Sequence, residues 1–174
     1  MDTTELARRM RAAAYLEGDF TLRSGRKSKY YLDKYLFETQ PDILRPLGEL
    51  LATYVRPTTT LIAGAELGGI PLATATSLAS GKPFVIIRNM KKDYGTAKPY
   101  EGRLNAGDSV LLVEDIATTG GQVLEAARFL AGIGARVERI VAVIDRQEGA
   151  RQNIESAGFA FEALFTKADL GITG

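Results

Sequence analysis

Two adjacent carboxylates at the end of an apolar run are the side chains in this sequence with the clearest chemical use. Residues 110–122 are Val-Leu-Leu-Val-Glu-Asp-Ile-Ala-Thr-Thr-Gly-Gly-Gln. The run 110–113 predicts a strand buried on both faces of a parallel sheet, and apolar residues at i, i+3, i+4 and i+7 from Val123 predict a helix. Glu114 and Asp115, called here the acidic pair, can accept hydrogen bonds from sugar hydroxyls or bind a hydrated cation.

The short loop between that strand and that helix is suited to a phosphate. Backbone N–H groups at a helix start are unpaired, and the helix dipole is positive there. Gly120 and Gly121 let the backbone approach an anion closely, and Thr118 and Thr119 add hydroxyl donors. A phosphate, sugar hydroxyls and a divalent ion together describe a phosphorylated ribose.

The alternative for this stretch is an ordinary strand, loop and helix with two surface carboxylates. The loop has neither the Gly-x-x-x-x-Gly-Lys-Ser/Thr pattern of a P-loop nor the Gly-x-Gly-x-x-Gly pattern of a dinucleotide site. The order apolar strand, Glu-Asp, Ile-Ala, Thr-Thr-Gly-Gly resembles the 5-phosphoribosyl 1-diphosphate (PRPP) motif of type I phosphoribosyltransferases.

Composition excludes several other kinds of site. The 174 residues contain no Cys and no His, which rules out thiol catalysis and a Ser-His-Asp mechanism. The net charge of +1 gives no general electrostatic case for binding nucleic acid. No apolar run is long enough for a membrane span, and the first residues lack the pattern of a signal peptide. We therefore expect a cytoplasmic protein without a membrane or nucleic-acid partner.

Strand and helix patterns alternate along the rest of the chain. They predict one α/β domain over residues 1–174, with a central, mostly parallel sheet flanked by helices. A small N-terminal hood, about residues 1–35, should cover the carboxyl edge of the sheet. The predicted elements are a helix capped by Thr3 or Thr4 and ending near Gly18, a hairpin around Ser24-Gly25, a helix from Pro41 to before Pro57, strands at 60–63, 83–87, 140–144 and 160–164, and helices at 72–79 and 150–157.

Two further segments accompany the central motif. Residues 64–71 form a second Gly-Gly loop at a strand end, which is weak evidence for another anion site. Residues 88–102 contain four cations and few apolar anchors, so they predict a lid loop, with a solvated hairpin as the alternative.

Four blocks extend the resemblance to orotate phosphoribosyltransferases over nearly the whole chain. The Ser-Gly-Arg hood and the Asp-Arg-Gln-Glu strand end point to that branch of the type I family. The blocks are residues 20–28 with Tyr30-Tyr31-Leu32-Asp33, residues 67–73, residues 92–96 with Glu101-Gly102, and residues 145–149.

The resemblance implies a reaction and a set of roles. Orotate and PRPP would give orotidine 5-phosphate and pyrophosphate, with Mg²⁺ bound mainly through PRPP and water rather than by protein ligands. A homodimer with shared active sites is also implied. Lys92 and Asp115 are the implied catalytic residues. The implied PRPP contacts are Arg88, Lys92, Tyr94, Glu114, Asp115, Ile116, Ala117, Thr118, Thr119, Gly120, Gly121 and Gln122; the orotate contacts are Arg23, Tyr31, Thr118 and Arg146; the pyrophosphate loop is Leu67, Gly68 and Gly69.

Three positions depart from the family pattern. Asn89 stands where Lys is common, which removes one pyrophosphate contact unless Lys91 replaces it. Tyr94 stands where His is common, and the chain ends at Gly174, earlier than many relatives. Two other functions stay open: a phosphoribosyltransferase for a purine or uracil, against which Arg146 argues, and a non-catalytic PRPP-binding regulator.

Overall fold

The computed structural model describes residues 1–21, 25, 27–88 and 98–172. It contains six helices and eight strands in these ranges. In chain order they are α1 (Thr3–Ala14), β1 (Tyr15–Thr21), β2 (Lys27–Leu32), α2 (Tyr35–Glu38), α3 (Pro41–Ala52), β3 (Leu61–Ala65), α4 (Gly69–Ser80), β4 (Phe84–Ile87), β5 (Tyr100–Glu101), β6 (Ser109–Ala117), α5 (Gly121–Ile133), β7 (Arg136–Asp145), α6 (Ala150–Ser156) and β8 (Phe161–Thr166).

The main sheet has six strands in the order β5-β4-β3-β6-β7-β8. Every pairing is parallel except that of the two-residue edge strand β5 with β4. β6 lies in the middle, between β3 and β7, and all but one of its nine residues are buried. The expectation of a central, mostly parallel sheet is therefore confirmed.

Helices cover both faces of this sheet, and the residues of β6 alternate between two cores. Leu111 and Val113 belong to the core formed with α1, α3 and α4, whereas Val110 and Leu112 belong to the core formed with α5 and α6. This alternation follows from the two-residue period of a strand. Because both faces are apolar, the strand reads in the sequence as a continuous hydrophobic run.

The N-terminal helix differs from the prediction at both ends. The Asp2 side chain, not that of Thr3 or Thr4, caps the helix by accepting a hydrogen bond from the Glu5 N–H at 2.8 Å. The helix ends at Ala14, and β1 has begun before Gly18 is reached. Antiparallel pairing of β1 with β2 explains the early end of the helix, since Tyr15, Leu16 and Glu17 are in register with Leu32, Tyr31 and Tyr30.

Several elements extend beyond their predicted limits, and at β3, α4 and β6 they extend into the segments we expected to be loops. β6 continues to Ala117, so the acidic pair lies inside the strand and not after it. β3 continues to Ala65, and α4 begins at Gly69 instead of Leu72. Pairing with neighbouring strands explains the extension of β6, since Glu114 and Ile116 are both in register with residues of β7.

The β1–β2 hairpin lies next to the carboxyl edge of the main sheet. Tyr30 on β2 stacks on Tyr15 with ring centroids 5.5 Å apart, and its hydroxyl accepts a hydrogen bond from Arg146 just after β7 at 3.3 Å. The predicted turn at Ser24-Gly25 falls mostly outside the described residues, although the two flanking strands are present.

The segment 88–102 is described only at its two ends. Ile86 and Ile87 pair antiparallel with Glu101 and Tyr100, and the Arg88 N–H donates to the Pro99 carbonyl at 2.9 Å. Residues 89–97, which include most of the predicted lid, lie outside the described residues. The two ends are thus joined in a short antiparallel ladder, whichever form the part between them takes.

No helix within the described ranges has the length and apolar character needed to cross a membrane.

Helices α3 and α4 pack closely at Gly48, so a substitution at this residue tests the packing. A Cβ added at Gly48 would lie 2.6 Å from the Ala75 Cβ and 2.7 Å from its carbonyl carbon. We expect Gly48→Ala to lower the free energy of unfolding by about 1–3 kcal/mol, because the helices must separate. The matched control is Gly132→Ala in α5, where no atom lies within 4 Å. Urea unfolding that ranks both variants equally would contradict the packing.

Candidate active site

The carboxyl ends of the adjacent strands β3, β6 and β7 lie at one edge of the sheet, and a cavity opens at the ends of β6 and β7. Ligands bind at this edge in open α/β sheets. The cavity at the ends of β6 and β7 has a volume of about 390 Å³. Its lining consists of Tyr31, Leu32, Lys34, Glu114, Asp115, Ile116, Ala117, Thr118, Thr119, Gly120, Gly121, Gln122, Val123 and Arg146.

The acidic pair lies at the floor of this cavity and is almost fully buried. Glu114 is 8% exposed and Asp115 is 2% exposed. Glu114 Oε1 accepts a hydrogen bond from the Asp115 N–H at 3.1 Å, and Asp115 Oδ1 accepts one from the Ile116 N–H at 2.5 Å. Burial, together with the neighbouring Asp115 charge, raises the pKa of Glu114 well above its ordinary value.

A cation in the cavity wall compensates part of this charge. Lys34 Nζ lies 2.5 Å from Asp115 Oδ2. Lys34 immediately precedes α2, and its ammonium also lies 5.4 Å from the centroid of the Tyr35 ring. The sequence reasoning did not select Lys34, although its place directly after Tyr30-Tyr31-Leu32-Asp33 was a usable signal.

The loop after β6 forms an open helix start. Gly120 has φ 78°, a left-handed conformation that favours glycine, and no side chain caps α5. A side chain of α6 anchors the loop, since Asn153 Nδ2 donates a hydrogen bond to the Thr119 carbonyl at 2.9 Å. The first N–H groups of α5 therefore remain available to an anion in the cavity, and Thr118 and Gly121 border the same space.

The second glycine loop lies against the acidic pair. A Cβ added at Gly68 would lie 1.7 Å from Asp115 Oδ2, and one added at Gly64 would lie 2.2 Å from the Gly69 carbonyl oxygen. Only glycine permits both approaches. The Glu66–Leu67 peptide bond is cis, and the Glu66 carbonyl accepts a hydrogen bond from Gln122 Nε2 at 3.2 Å. The two glycine loops are thus in direct contact.

Arg146 reaches the cavity from the end of β7. Its guanidinium lies 3.0 Å from Glu148 Oε1 and donates to the Tyr30 hydroxyl at 3.3 Å. It also lies 5.9 Å from the centroid of the Tyr30 ring. An anionic group of a planar ligand can therefore meet a cation beside an aromatic face at this side of the cavity.

Most of the residues selected from the sequence come together in this way, and three cannot be placed. Leu67, with its side chain mostly exposed, belongs to the second glycine loop. Arg88 lies outside the main cavity, in a small neighbouring one that Glu66 and Gln122 also line, and its guanidinium is 3.4 Å from Glu101. Arg23, Lys92 and Tyr94 lie outside the described residues.

Glu38 is a further buried carboxyl that the sequence did not reveal. It is 1% exposed, and neither carboxyl oxygen has a hydrogen-bond partner within the described residues. Burial raises its pKa to about 8; the charges of Asp115 and Asp33 act in the same direction, and Lys34 opposes them. Glu38 follows Lys34 by four residues, which is one helical turn.

Comparison with known protein families identifies the class of protein to which this chain belongs. Residues 35–167 match the family model described as a phosphoribosyl transferase domain. That range includes the ends of β6 and β7 that line the cavity, together with α2, so the match covers most of the site as well as the sheet.

Individual relatives define the branch of that class. An orotate phosphoribosyltransferase of Halobacterium salinarum is 46% identical over 169 residues, covering 97% of this chain and 96% of that protein. The crystal structures of Mycobacterium tuberculosis H37Rv orotate phosphoribosyltransferase with Fe(III) dicitrate and with PRPP align with TM-scores of 0.86 and 0.83 at 32% and 31% identity. Each alignment covers 99% of this chain and 100% of that one. The chain belongs to the orotate phosphoribosyltransferase family.

The unpartnered carboxyl of Glu38 makes stability depend on pH. The folded chain keeps the proton up to about pH 8, whereas an unfolded chain releases it near 4.5, so the folded state binds more protons in that window. The stability present below pH 4.5 is therefore lost as the pH rises toward 8. We expect Glu38→Gln to remove this decline, which reaches about 1.4 kcal/mol per pH unit.

Urea unfolding of wild type and variant across this pH window measures the effect. Glu49→Gln on the exposed side of α3 is the matched control, because it makes the same chemical change at the surface. If wild type and Glu38→Gln give parallel curves, Glu38 does not hold a proton in the folded chain.

Proposed function

We propose that this chain transfers the 5-phosphoribosyl group of PRPP to orotate, giving orotidine 5-phosphate and pyrophosphate for pyrimidine nucleotide synthesis. The observation that carries the proposal is the single cavity that joins the buried acidic pair, the open start of α5 and Arg146. Membership of the orotate phosphoribosyltransferase family and the PRPP complex of the Mycobacterium tuberculosis relative support the same reaction.

Each group in the cavity suits one part of the two substrates. Glu114 and Asp115 accept hydrogen bonds from the ribose 2- and 3-hydroxyls, and the loop 117–121 binds the 5-phosphate at the start of α5. The pyrophosphate lies against the glycine loop Leu67, Gly68 and Gly69. This order is supported by the contact of Gly68 with Asp115, since ribose and pyrophosphate are adjacent in PRPP.

Orotate lies on the side of Arg146. The guanidinium faces the carboxylate of orotate, while Thr118 and Tyr31 border the ring. Arg146 is 20% exposed on its side chain, so an ion pair there is only partly screened by water. A neutral base offers no partner for this charge, which favours orotate over uracil or a purine.

The chemistry requires charge stabilisation more than proton transfer. The bond from ribose C1 to pyrophosphate breaks and a bond from C1 to orotate N1 forms, while positive charge develops on the ribose and negative charge on the leaving group. The proton released from orotate N1 passes to the departing pyrophosphate or to water. Preorganised cations and N–H groups stabilise that separation without a titrating base near pH 7. Such a mechanism is compatible with a chain that has no His.

Mg²⁺ supplies further neutralisation of the pyrophosphate. Within the described ranges, no group of three or more acidic side chains is arranged to hold a metal ion. In this proposal Mg²⁺ would bind together with PRPP, because Mg²⁺ keeps several waters and is commonly held by substrate phosphates.

We extend the proposal to the remaining assignments, which family membership supports. Arg88, Lys92 and Tyr94 contact the pyrophosphate end of PRPP from the lid 88–102, and Lys92 and Asp115 are the catalytic residues. Arg23 approaches the base from the hood. The active unit is a homodimer in which Lys92 enters the neighbour's site, and the enzyme works in the cytoplasm. The joined ends of the lid support its action as a unit.

The direct test is an absorbance assay that follows the loss of orotate with PRPP and Mg²⁺. Uracil, adenine and hypoxanthine are assayed in parallel. Turnover of orotate alone supports the proposal, and turnover of another base in its place contradicts the assignment of Arg146. PRPP binding without any turnover would indicate a regulator.

Arg146→Ala tests the orotate side of the cavity. We expect the KM for orotate to rise roughly ten- to a hundredfold, because a hydrogen bond to a charged group contributes about 1.5–3 kcal/mol. PRPP binding should change little. Arg136→Ala is the matched control: Arg136 begins β7 at the opposite end and pairs at 3.0 Å with Glu138, also two residues ahead. A loss that appears in PRPP binding would place Arg146 in another subsite.

Mixing two inactive variants tests the shared site. Lys92→Ala and Asp115→Asn are combined under conditions that exchange subunits. If Lys92 crosses to its neighbour, each mixed dimer has one site with both defects and one with neither, so activity recovers toward about a quarter of wild type. Proven heterodimers without recovery would place Lys92 in its own subunit's site.

A further inference from the structure

Lys34 lies between the cavity and the buried acidic pair. Its side chain is 30% exposed and that of Asp115 is 3% exposed, so the ion pair is largely shielded from water. The ammonium approaches Asp115 from the side of the hood, and the same side chain lines the cavity with Thr118 and Arg146. A pair in this position affects any ligand that Asp115 binds.

Buried carboxyl groups outnumber cations around Lys34. Glu114, Asp115 and Glu38 are each less than 9% exposed, and Lys34 is the cation that pairs with any of them within the described residues. Arg146, across the cavity, is directed to Glu148 and Tyr30 instead. A buried carboxylate without a counter-charge is costly, and removing Lys34 would take away the ammonium that faces Asp115.

The ammonium of Lys34 is retained under working conditions. Burial by itself would lower the pKa of Lys34, but the charge and hydrogen bond of Asp115 outweigh burial, and the pKa is raised. The charge on Lys34 is therefore fixed through neutral pH.

Lys34 also fixes the direction of the carboxylate. Asp115 Oδ2 is held between the ammonium and the backbone of Gly68, and Oδ1 accepts from the Ile116 N–H. Both oxygens are thus oriented by fixed partners before a ligand arrives. Preorganised acceptors of this kind bind hydroxyls without a further cost for ordering the side chain.

We infer that Lys34 is a positioning residue for ribose binding: its ammonium supplies the counter-charge of Asp115 and holds that carboxylate in the orientation that accepts the ribose hydroxyls of PRPP. This rests on the proposed function, in which the acidic pair binds ribose. It differs from direct binding of substrate phosphate by Lys34, and from an ion pair that serves only to stabilise the fold.

The experiment compares Lys34→Met, Lys34→Arg and the control Lys29→Met. Lys29 forms an equally short ion pair with Asp19, but both side chains are more than 80% exposed. For each variant kcat and the KM for PRPP are measured from pH 5.5 to 8.5. We expect Lys34→Met to move the acid limb of kcat/KM for PRPP upward by about one pH unit or more, which is about tenfold in KM on that limb, with kcat changed less.

The conservative variant and a double variant complete the test. Lys34→Arg should retain most of the wild-type pH profile, because arginine keeps the positive charge. Lys29→Met should have the same pH profile as wild type. Calorimetry with PRPP and Mg²⁺ should show that Lys34→Met adds no further loss of affinity once Asp115→Asn is present, because Lys34 acts through Asp115.

Three results would overturn the inference. A loss that is the same at every pH, or that adds fully to that of Asp115→Asn, means that Lys34 binds the substrate directly. A lower melting temperature with an unchanged pH profile means a structural ion pair only. If wild type binds PRPP but does not consume orotate, the proposed function fails, whereas the calorimetric comparison still decides the role of Lys34.

Discussion

Compensation of negative charge at the end of β6 is the constraint on which the rest of the site depends. Glu114 and Asp115 are buried in the central strand, where an uncompensated carboxylate is costly. The backbone N–H groups of Asp115 and Ile116 and the ammonium of Lys34 meet this demand from within the chain. The hood, β6 and the second glycine loop are consequently drawn to one point, and the cavity is the space they leave.

The fold could be predicted because its strands and helices carry strong periodic signals. The apolar runs of β3, β4, β6, β7 and β8 identify five parallel strands, and the amphipathic spacing of α1, α3 and α5 identifies the helices that cover them. Two elements gave no such signal: α2 has four residues and β5 has two, which is too short for a period to be visible. The residues at which strands begin and end also depend on pairing with neighbouring strands, as the pairing of β6 with β7 as far as Ala117 demonstrates.

The site was predictable where its residues adjoin in sequence and hidden where distant segments meet. Glu114, Asp115, Thr118 and Gly120 follow one another in a single motif. Arg146, directly after β7, was named because the block 145–149 resembles the orotate branch of the family. Lys34 and Glu38 were missed because their meaning depends on contact with β6 from the other end of the chain. A lysine just before a short helix and a glutamate at its end resemble ordinary surface residues until that contact is known.

The closeness of Gly68 to Asp115 has a consequence for how this sequence can vary. No side chain larger than hydrogen fits at residue 68 while the carboxylate keeps its place, so the two positions constrain each other across the sheet edge. Effects of substitutions at contacting residues are in general not additive. In a genetic screen a side chain at residue 68 would therefore be tolerated only in backgrounds where Asp115 had already been replaced by a smaller residue.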